Sequence, residues 1–148
     1  MNRMKRVLAA IGIAALMSLQ AVSAEASDVH VYKSPSCGCC SAWVTHLRAN
    51  GFSVTVEDVE DLGVVKQHLG VPPSLQSCHT ATVEGYAIEG HVPASDIHRL
   101  LAERPVATGL AVPGMPIGSP GMEQGDQREP YVTSLFGPDG QSVYAHHW

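Results

Sequence analysis

The alternation of hydrophobic and polar residues predicts a strand on each side of a first helix. Val29 to Ser34 (VHVYKS) alternates with the two-residue period of a strand, and so does the stretch FSVTVED that begins at Phe52. Between them, Pro35 ends the first strand and Ser36 has the side chain of a helix N-cap. We therefore expect a helix that starts just after Ser36, carries the cysteines and ends at Asn50-Gly51.

A second helix, two more strands and a third helix follow in the pattern. Asp61 is the expected N-cap of the second helix, which ends at a glycine. His79–Val83 and Tyr86–Ile88 have the composition of two strands joined by a tight turn, and the stretch PASDIHRLLAERP indicates a helix that is ended by its last proline.

This order of elements, β-α-β-α and then β-β-α, predicts an α/β fold. The expected fold class is a single thioredoxin-like (βαβ-ββα) domain over residues 28–107, in which the first helix opens with cysteines. Because crossovers between parallel strands are right-handed, the first two strands should be parallel neighbours.

The chain changes character after Ala107. Gly109–Pro130 contains five glycines and four prolines without a usable period, which predicts an irregular extended segment. From Tyr131 the pattern indicates a hairpin that turns at Pro138-Asp139-Gly140. We expect residues 108–148 to form a Gly/Pro-rich C-terminal extension and hairpin packed on the domain, because they are too few to own a core.

The N-terminus has the pattern of a secretory signal peptide. A basic start (residues 3–6) precedes an apolar run (residues 7–19) that is too short for a membrane anchor, and small residues end at Ala24. We expect residues 1–24 to be removed, by cleavage after Ala24 or alternatively after Ala26. The mature protein is then expected in the periplasm, with no membrane association after cleavage.

Charge excludes two classes of partner. The formal net charge is −5, and the leader holds three basic residues and no acidic one, so the mature chain is still more acidic. An acidic chain without a basic stripe is not expected to bind nucleic acid or an anionic lipid surface.

Three of the four cysteines, Cys37, Cys39 and Cys40, lie within four positions. Such a group could be a redox dithiol, part of a disulfide framework or a thiolate site for a soft metal. At a helix N-terminus the partial positive charge can lower a thiol pKa from about 8.5 to roughly 3.5–7.5. Because a thiolate is both the redox nucleophile and the metal ligand, this position supports the redox and the metal interpretation equally.

The position of Cys78 favours the metal interpretation over the redox one. In the expected fold, the residues that enter the third strand lie opposite the N-terminus of the first helix, so Cys78 should approach the other three thiols. Four convergent sulfur donors suit Cu(I) and also Zn(II). The spacing CGCC lacks the open pairs of zinc ribbons, and an exported thiol site that holds Cu(I) is protected from oxidation.

Two methionines and two histidines are secondary metal candidates. Met115 and Met122 lie in the stretch PGMPIGSPGME, and thioethers are soft donors that select Cu(I). His79 follows Cys78, and His91 lies in EGHVP; either could be a ligand or could hydrogen-bond to one.

Three long stretches of the chain resemble one known family. SPSCGCCSAWVTHLRANGF, GVPPSLQSCHTATVEGYAIEGHVPASDIHRLL and GLAVPGMPIGSPGME are similar to the CopG-type family of thioredoxin-like, exported proteins of bacterial copper resistance. The resemblance implies copper bound by the thiolates of Cys37, Cys39, Cys40 and Cys78. It implies copper ions as the partner, together with other periplasmic copper-handling proteins.

The expected function is copper resistance, by binding copper as Cu(I) at the four cysteines, with a copper or thiol redox role. The alternative is a thiol-disulfide oxidoreductase that uses Cys37 and Cys40. Cys39 and Cys78 discriminate the two, because a dithiol enzyme needs neither. A small fold stapled by two disulfides is disfavoured, because clustered cysteines close short loops and a disulfide stabilises most when it closes a long one.

Overall fold

A computed structural model describes residues 25–148 and builds them around one mixed sheet of seven strands with three α-helices. The predicted signal peptide lies outside these residues. No helix within residues 25–148 is long and apolar enough to cross a bilayer. The elements are β1 Asp28–Lys33, α1 Gly38–Ala49, β2 Ser53–Asp58, α2 Leu62–His68, a short 3-10 turn Pro73–Leu75, β3 His79–Val83, β4 Tyr86–Gly90, α3 Ala94–Glu103, β5 Gly109–Val112, β6 Tyr131–Gly137 and β7 Gly140–His147.

The strand order in the sheet is β2-β1-β3-β4-β5-β6-β7. β1 and β2 are parallel neighbours, as the right-handed crossover predicts, and β3 pairs antiparallel with both β1 and β4. The expected order, β-α-β-α and then β-β-α, is confirmed. The predicted hairpin is also present, as β6 and β7 joined with Gly137 opposite Gly140.

The sheet continues where the sequence predicted an irregular segment. Gly109–Val112 forms β5, which is buried throughout and lies parallel to β4 and antiparallel to β6. Gly109 permits this close pairing, because a Cβ there would lie 1.8 Å from the carbonyl oxygen of Ala87. The expectation was wrong because four apolar residues are too short a run to show a period among prolines and glycines.

The cap of α1 also differs from the prediction. Cys37, and not Ser36, is the N-cap residue, and no side chain accepts a hydrogen bond from the first turn. The Ser36 hydroxyl instead lies 3.3 Å from that of Ser34. The predicted cap of α2 is confirmed, since the Asp61 carboxylate accepts a hydrogen bond from the backbone N–H of Gly63 at 2.9 Å.

Alternate residues of the central strands enter two hydrophobic clusters, as the two-residue period of a strand requires. Ile88 and Leu110 belong to the larger cluster with residues of α1 and α3, whereas Ala87 and Ala111 belong to a smaller one. Trp43 anchors α1 in the larger cluster, and its Nε1 donates to the carbonyl oxygen of Val92 at 2.8 Å. This packing fixes the cysteine-bearing end of α1 against the sheet.

Candidate metal centre

The pairing of β1 with β3 brings the cysteines together. Lys33, the last residue of β1, lies opposite His79, the first residue of β3. The chain that follows β1 leads directly into the first turn of α1, and Cys78 immediately precedes β3. Cys78 therefore lies beside the start of α1, as the expected topology predicts.

The four cysteine sulfurs form one group, which we call the cysteine cluster (Cys37, Cys39, Cys40 and Cys78). All four lie within 4.8 Å of one another. The sulfur of Cys39 is 3.4 Å from that of Cys37 and 3.9 Å from that of Cys78. Four soft donors at these separations can share metal ions, since sulfurs bound to one ion at about 2.3 Å lie roughly 3.5–4 Å apart.

The structure holds the cysteine cluster in a partly oxidised state. Cys37 and Cys40 are joined by a disulfide, while Cys39 and Cys78 are free. The oxidised pair is the one that a thiol-disulfide oxidoreductase would use. Cys39 lies within 4 Å of both the disulfide and Cys78, so thiol exchange within the cluster is sterically available.

His79 and His91, the two histidine candidates, both face Cys78. The Cys78 sulfur is 3.3 Å from Nδ1 of His79 and 3.0 Å from Nε2 of His91. His91 Nδ1 lies 2.8 Å from the carbonyl oxygen of Pro120, and since a carbonyl only accepts, Nδ1 carries the proton. Nε2 of the neutral His91 ring therefore directs its lone pair at the sulfur.

Burial governs the protonation of these groups. Burial raises the pKa of the Cys78 thiol to about 11, and the neighbouring Cys39 acts in the same direction. Burial also lowers the pKa of His79 well below its usual value and lowers that of His91. The lowered thiol pKa expected from a helix N-terminus concerned Cys37, Cys39 and Cys40; Cys78, which enters from β3, has instead a pKa that partial burial raises.

The Gly/Pro-rich segment (residues 113–130) returns to the first turn of α1, and the carbonyl oxygen of Pro120 accepts the hydrogen bond from His91. A Cβ on Gly121 would lie 2.8 Å from both the carbonyl oxygen of Cys39 and the backbone nitrogen of Trp43, so this segment touches the first turn of α1. Met122 follows Gly121 and is half-buried, whereas Met115 is 51% exposed. Both methionine candidates thus lie in a segment that contacts the first turn of α1, and Met115 is the more exposed of the two.

A buried charged network lies behind Cys78 and was missed from the sequence. Glu89 Oε1 accepts hydrogen bonds from the Ser77 backbone N–H at 2.7 Å and from Lys66 Nζ at 2.5 Å, and Glu89 Oε2 accepts from the Thr80 hydroxyl at 2.6 Å. Burial raises the pKa of Glu89, and Lys66 opposes that rise. A glutamate inside the apolar strand YAIEG was the one available signal.

A family profile and two solved structures match the chain. A family described as "Protein of unknown function, DUF411" matches residues 75–122, which include Cys78, His79, His91, Met115 and Met122. No curated protein sequence matches the chain significantly.

Both similar structures are of a copper resistance protein. "Copper resistance protein copG- Form 2" is 47% identical, with a TM-score of 0.80, and the match covers 84% of this chain and 100% of the other. "Copper resistance protein copG- Form 1" is 48% identical, with a TM-score of 0.79, and covers 83% of this chain and 98% of the other. Identity at this level over nearly the whole fold extends beyond the cysteine motif.

Proposed function

The chain belongs to the CopG family of copper resistance proteins, and on that premise we propose that it binds copper as Cu(I) through the thiolates of Cys37, Cys39, Cys40 and Cys78. One observation carries the proposal: the four sulfurs lie within 4.8 Å of one another although Cys78 is distant in sequence. Thiolates are soft ligands that select Cu(I), and adjacent cysteines suit the bridging of several ions.

Full copper capacity requires reduction of the disulfide. A dithiol reductant that exchanges with the Cys37–Cys40 bond would leave as its own disulfide and deliver two electrons and two protons, which gives four thiols. The thiol protons are then displaced by copper. Oxidation of the pair removes two of the four donors, so the copper capacity of the site follows its redox state.

The proposal also includes the compartment, the fold and the partners of the protein. The protein acts in the periplasm after cleavage of residues 1–24, and it exchanges copper with other copper-handling proteins. Its copper site is built on a thioredoxin-like arrangement of β1 to β4. The strand order β2-β1-β3-β4, with β1 and β2 parallel, supports that arrangement. Copper resistance follows from sequestering Cu(I) in a partly buried thiolate site.

A second candidate is thiol-disulfide exchange by Cys37 and Cys40. The disulfide between these two residues, at the start of a helix, favours it. A combined role is chemically balanced: two Cu(I) ions each give one electron to the disulfide, the S–S bond breaks to two thiolates, and two Cu(II) ions result. Cys39 and Cys78 separate the candidates, because simple exchange uses neither.

Single Cys→Ser variants test the proposal. Each variant is reduced and loaded with Cu(I) anaerobically, and its copper, free thiols and reduction of insulin disulfides are measured. All four should lose most of their copper, with Cys78→Ser as damaging as Cys37→Ser, because a serine hydroxyl is a harder and far less acidic donor. Ser41→Ala, on the exposed side of the first turn of α1, is the matched control and should load fully.

The opposite pattern would replace copper binding with the second candidate. In that pattern Cys39→Ser and Cys78→Ser keep full copper loading, while Cys37→Ser and Cys40→Ser abolish insulin reduction.

A further inference from the structure

A histidine of α1 caps the start of α3 from outside that helix. Nε2 of His46 accepts a hydrogen bond from the backbone N–H of Ala94, the first residue of α3, at 3.1 Å. The N-cap residue of α3 is Pro93, whose side chain has no oxygen with which to cap a helix. The N–H groups in the first turn of a helix have no partner inside the helix, so His46 supplies an acceptor that the local sequence does not.

We propose that His46 is a pH-dependent latch between α1 and α3, here called the His46 latch. The neutral ring holds the start of α3, and the protonated ring releases it and pairs instead with the carboxylate of Glu123, in the segment of residues 113–130. The proposal goes beyond copper binding and does not depend on it.

The direction of the hydrogen bond makes this contact depend on protonation. A backbone N–H only donates, so the bond from Ala94 requires an unprotonated Nε2 on His46. In the imidazolium form both ring nitrogens are donors, and two N–H groups would then face each other. The positive charge would also lie at the N-terminus of α3, which is the positive end of the helix dipole. Both effects oppose the contact, so protonation breaks it.

The surroundings of His46 favour the neutral ring in the folded protein. Burial lowers the pKa of His46 below its ordinary value, and the charge of Glu123 opposes that shift. Asp96, the acidic residue in the first turn of α3, already accepts hydrogen bonds from the Thr133 hydroxyl at 2.6 Å and from His147 Nε2 at 3.0 Å. Because the folded pKa of His46 is the lower one, the stability that the latch contributes is present above about pH 6.5, the ordinary pKa of histidine, and is lost as the pH falls below it.

Glu123 is placed to receive the released ring. Its side chain is exposed, and its Oε2 accepts a hydrogen bond from the backbone N–H of Gly121 at 2.9 Å. Gly121 touches the first turn of α1, so the carboxylate is held beside the helix that carries His46. An exposed carboxylate can turn toward the imidazolium without leaving a buried partner unpaired. The two states of the His46 latch therefore each have a named partner, Ala94 for the neutral ring and Glu123 for the charged one.

Trp43 connects the latch to the core. Its indole N–H donates to the carbonyl oxygen of Val92, two residues before Ala94, at 2.8 Å. Trp43 is fully buried in the cluster that joins α1 and α3, so a movement at the start of α3 changes the surroundings of its indole. The indole N–H is therefore a reporter of the latch at a site that does not itself titrate.

Nuclear magnetic resonance of nitrogen-labelled protein, recorded without copper between about pH 8 and pH 4.5, tests the proposal. The backbone N–H of Ala94 and the indole N–H of Trp43 should shift with one midpoint, below about pH 6.5, and the ring signals of His46 should show the same midpoint. His46→Gln offers an amide oxygen that accepts from Ala94 at every pH, so the two N–H signals should lose their titration at that midpoint. His68→Gln, at an exposed histidine of α2, is the matched control and should titrate as the wild type does.

Glu123→Gln tests the partner of the released ring. Because the carboxylate raises the pKa of His46, its removal should move the shared midpoint to lower pH and leave the Ala94 signal at neutral pH unchanged. An unmoved midpoint in this variant would overturn the pairing with Glu123.

The wild-type titration decides the main point even if a variant fails to fold. A His46 midpoint at or above about pH 6.5, or Ala94 and His46 signals with different midpoints, would overturn the His46 latch. In folded His46→Gln protein, Ala94 and Trp43 signals that titrate as in the wild type would overturn it as well.

Discussion

Gly121→Ala tests the contact between residues 113–130 and the first turn of α1. Gly121 has φ +87°, where a side chain costs roughly 1–2 kcal/mol. The new Cβ would also lie 2.8 Å from the carbonyl oxygen of Cys39 and 3.2 Å from Cα of Trp43. Both neighbours are backbone atoms of a packed helix, so the segment must move outward by about half an ångström, and such overpacking costs about 1–3 kcal/mol more.

Gly114→Ala is the matched control. Gly114 has φ +70° and lies in the same segment, but a Cβ there meets nothing within 4 Å. It therefore carries the conformational cost and the change in unfolded-chain entropy without the overlap. We expect Gly121→Ala to lower the free energy of unfolding by about 2–5 kcal/mol and Gly114→Ala by about 1–2 kcal/mol.

The assay is urea unfolding of both variants, with a check that the m-value (the dependence of the free energy of unfolding on urea concentration) is the same in both. Moving Gly121 outward also stretches the 2.8 Å hydrogen bond that His91 Nδ1 donates to the carbonyl oxygen of Pro120, which adds to the destabilisation of Gly121→Ala alone. Equal destabilisation of the two variants would refute the inferred contact, because the conformational cost would then explain the whole effect.

Three further predictions concern the methionines, the proton balance and the buried charges. The double variant Met115→Leu, Met122→Leu keeps the side-chain volume but deletes both thioethers, and we expect it to bind Cu(I) more weakly in competition with a chelator. An unchanged Cu(I) affinity would show that the two methionines are packing residues and not ligands. Since burial raises the pKa of Cys78 to about 11, copper must displace its proton, and apparent Cu(I) affinity should rise at least about tenfold per pH unit between roughly 7 and 9. An apparent Cu(I) affinity that does not change with pH over this range would contradict the prediction. Lys66→Met should destabilise the fold by about 3–5 kcal/mol, because Glu89 loses its buried partner, and unfolding at the wild-type urea midpoint would contradict it.

The sequence predicted the convergence of the cysteines because that convergence depends on topology. A cysteine directly before β3 lies beside the end of β1 whenever those strands are antiparallel neighbours, and the β1-α1-β2 order fixes α1 at that end. Hydrophobic alternation identified β1, and strand-like composition around a tight turn identified β3 and β4.

Other features depend on information that a local pattern does not carry. β5 is only four residues long and its first residue is a glycine, so tertiary pairing alone identifies it as a strand. The pairing of Lys66 with Glu89 joins residues far apart in sequence, and neither residue type predicts burial. By contrast, the pairing of Cys37 with Cys40 agrees with the pair named from the sequence, because residues i and i+3 share a face of a helix.

Copper K-edge X-ray absorption tests the central claim most directly. It would be recorded on wild-type protein that has been reduced and loaded with Cu(I) without oxygen, and the free thiols of the same sample would be counted by alkylation. We predict a copper shell of sulfur alone at about 2.3 Å, with all four thiols protected from alkylation. A shell of nitrogen or oxygen, together with four freely alkylated cysteines, would contradict copper binding by Cys37, Cys39, Cys40 and Cys78.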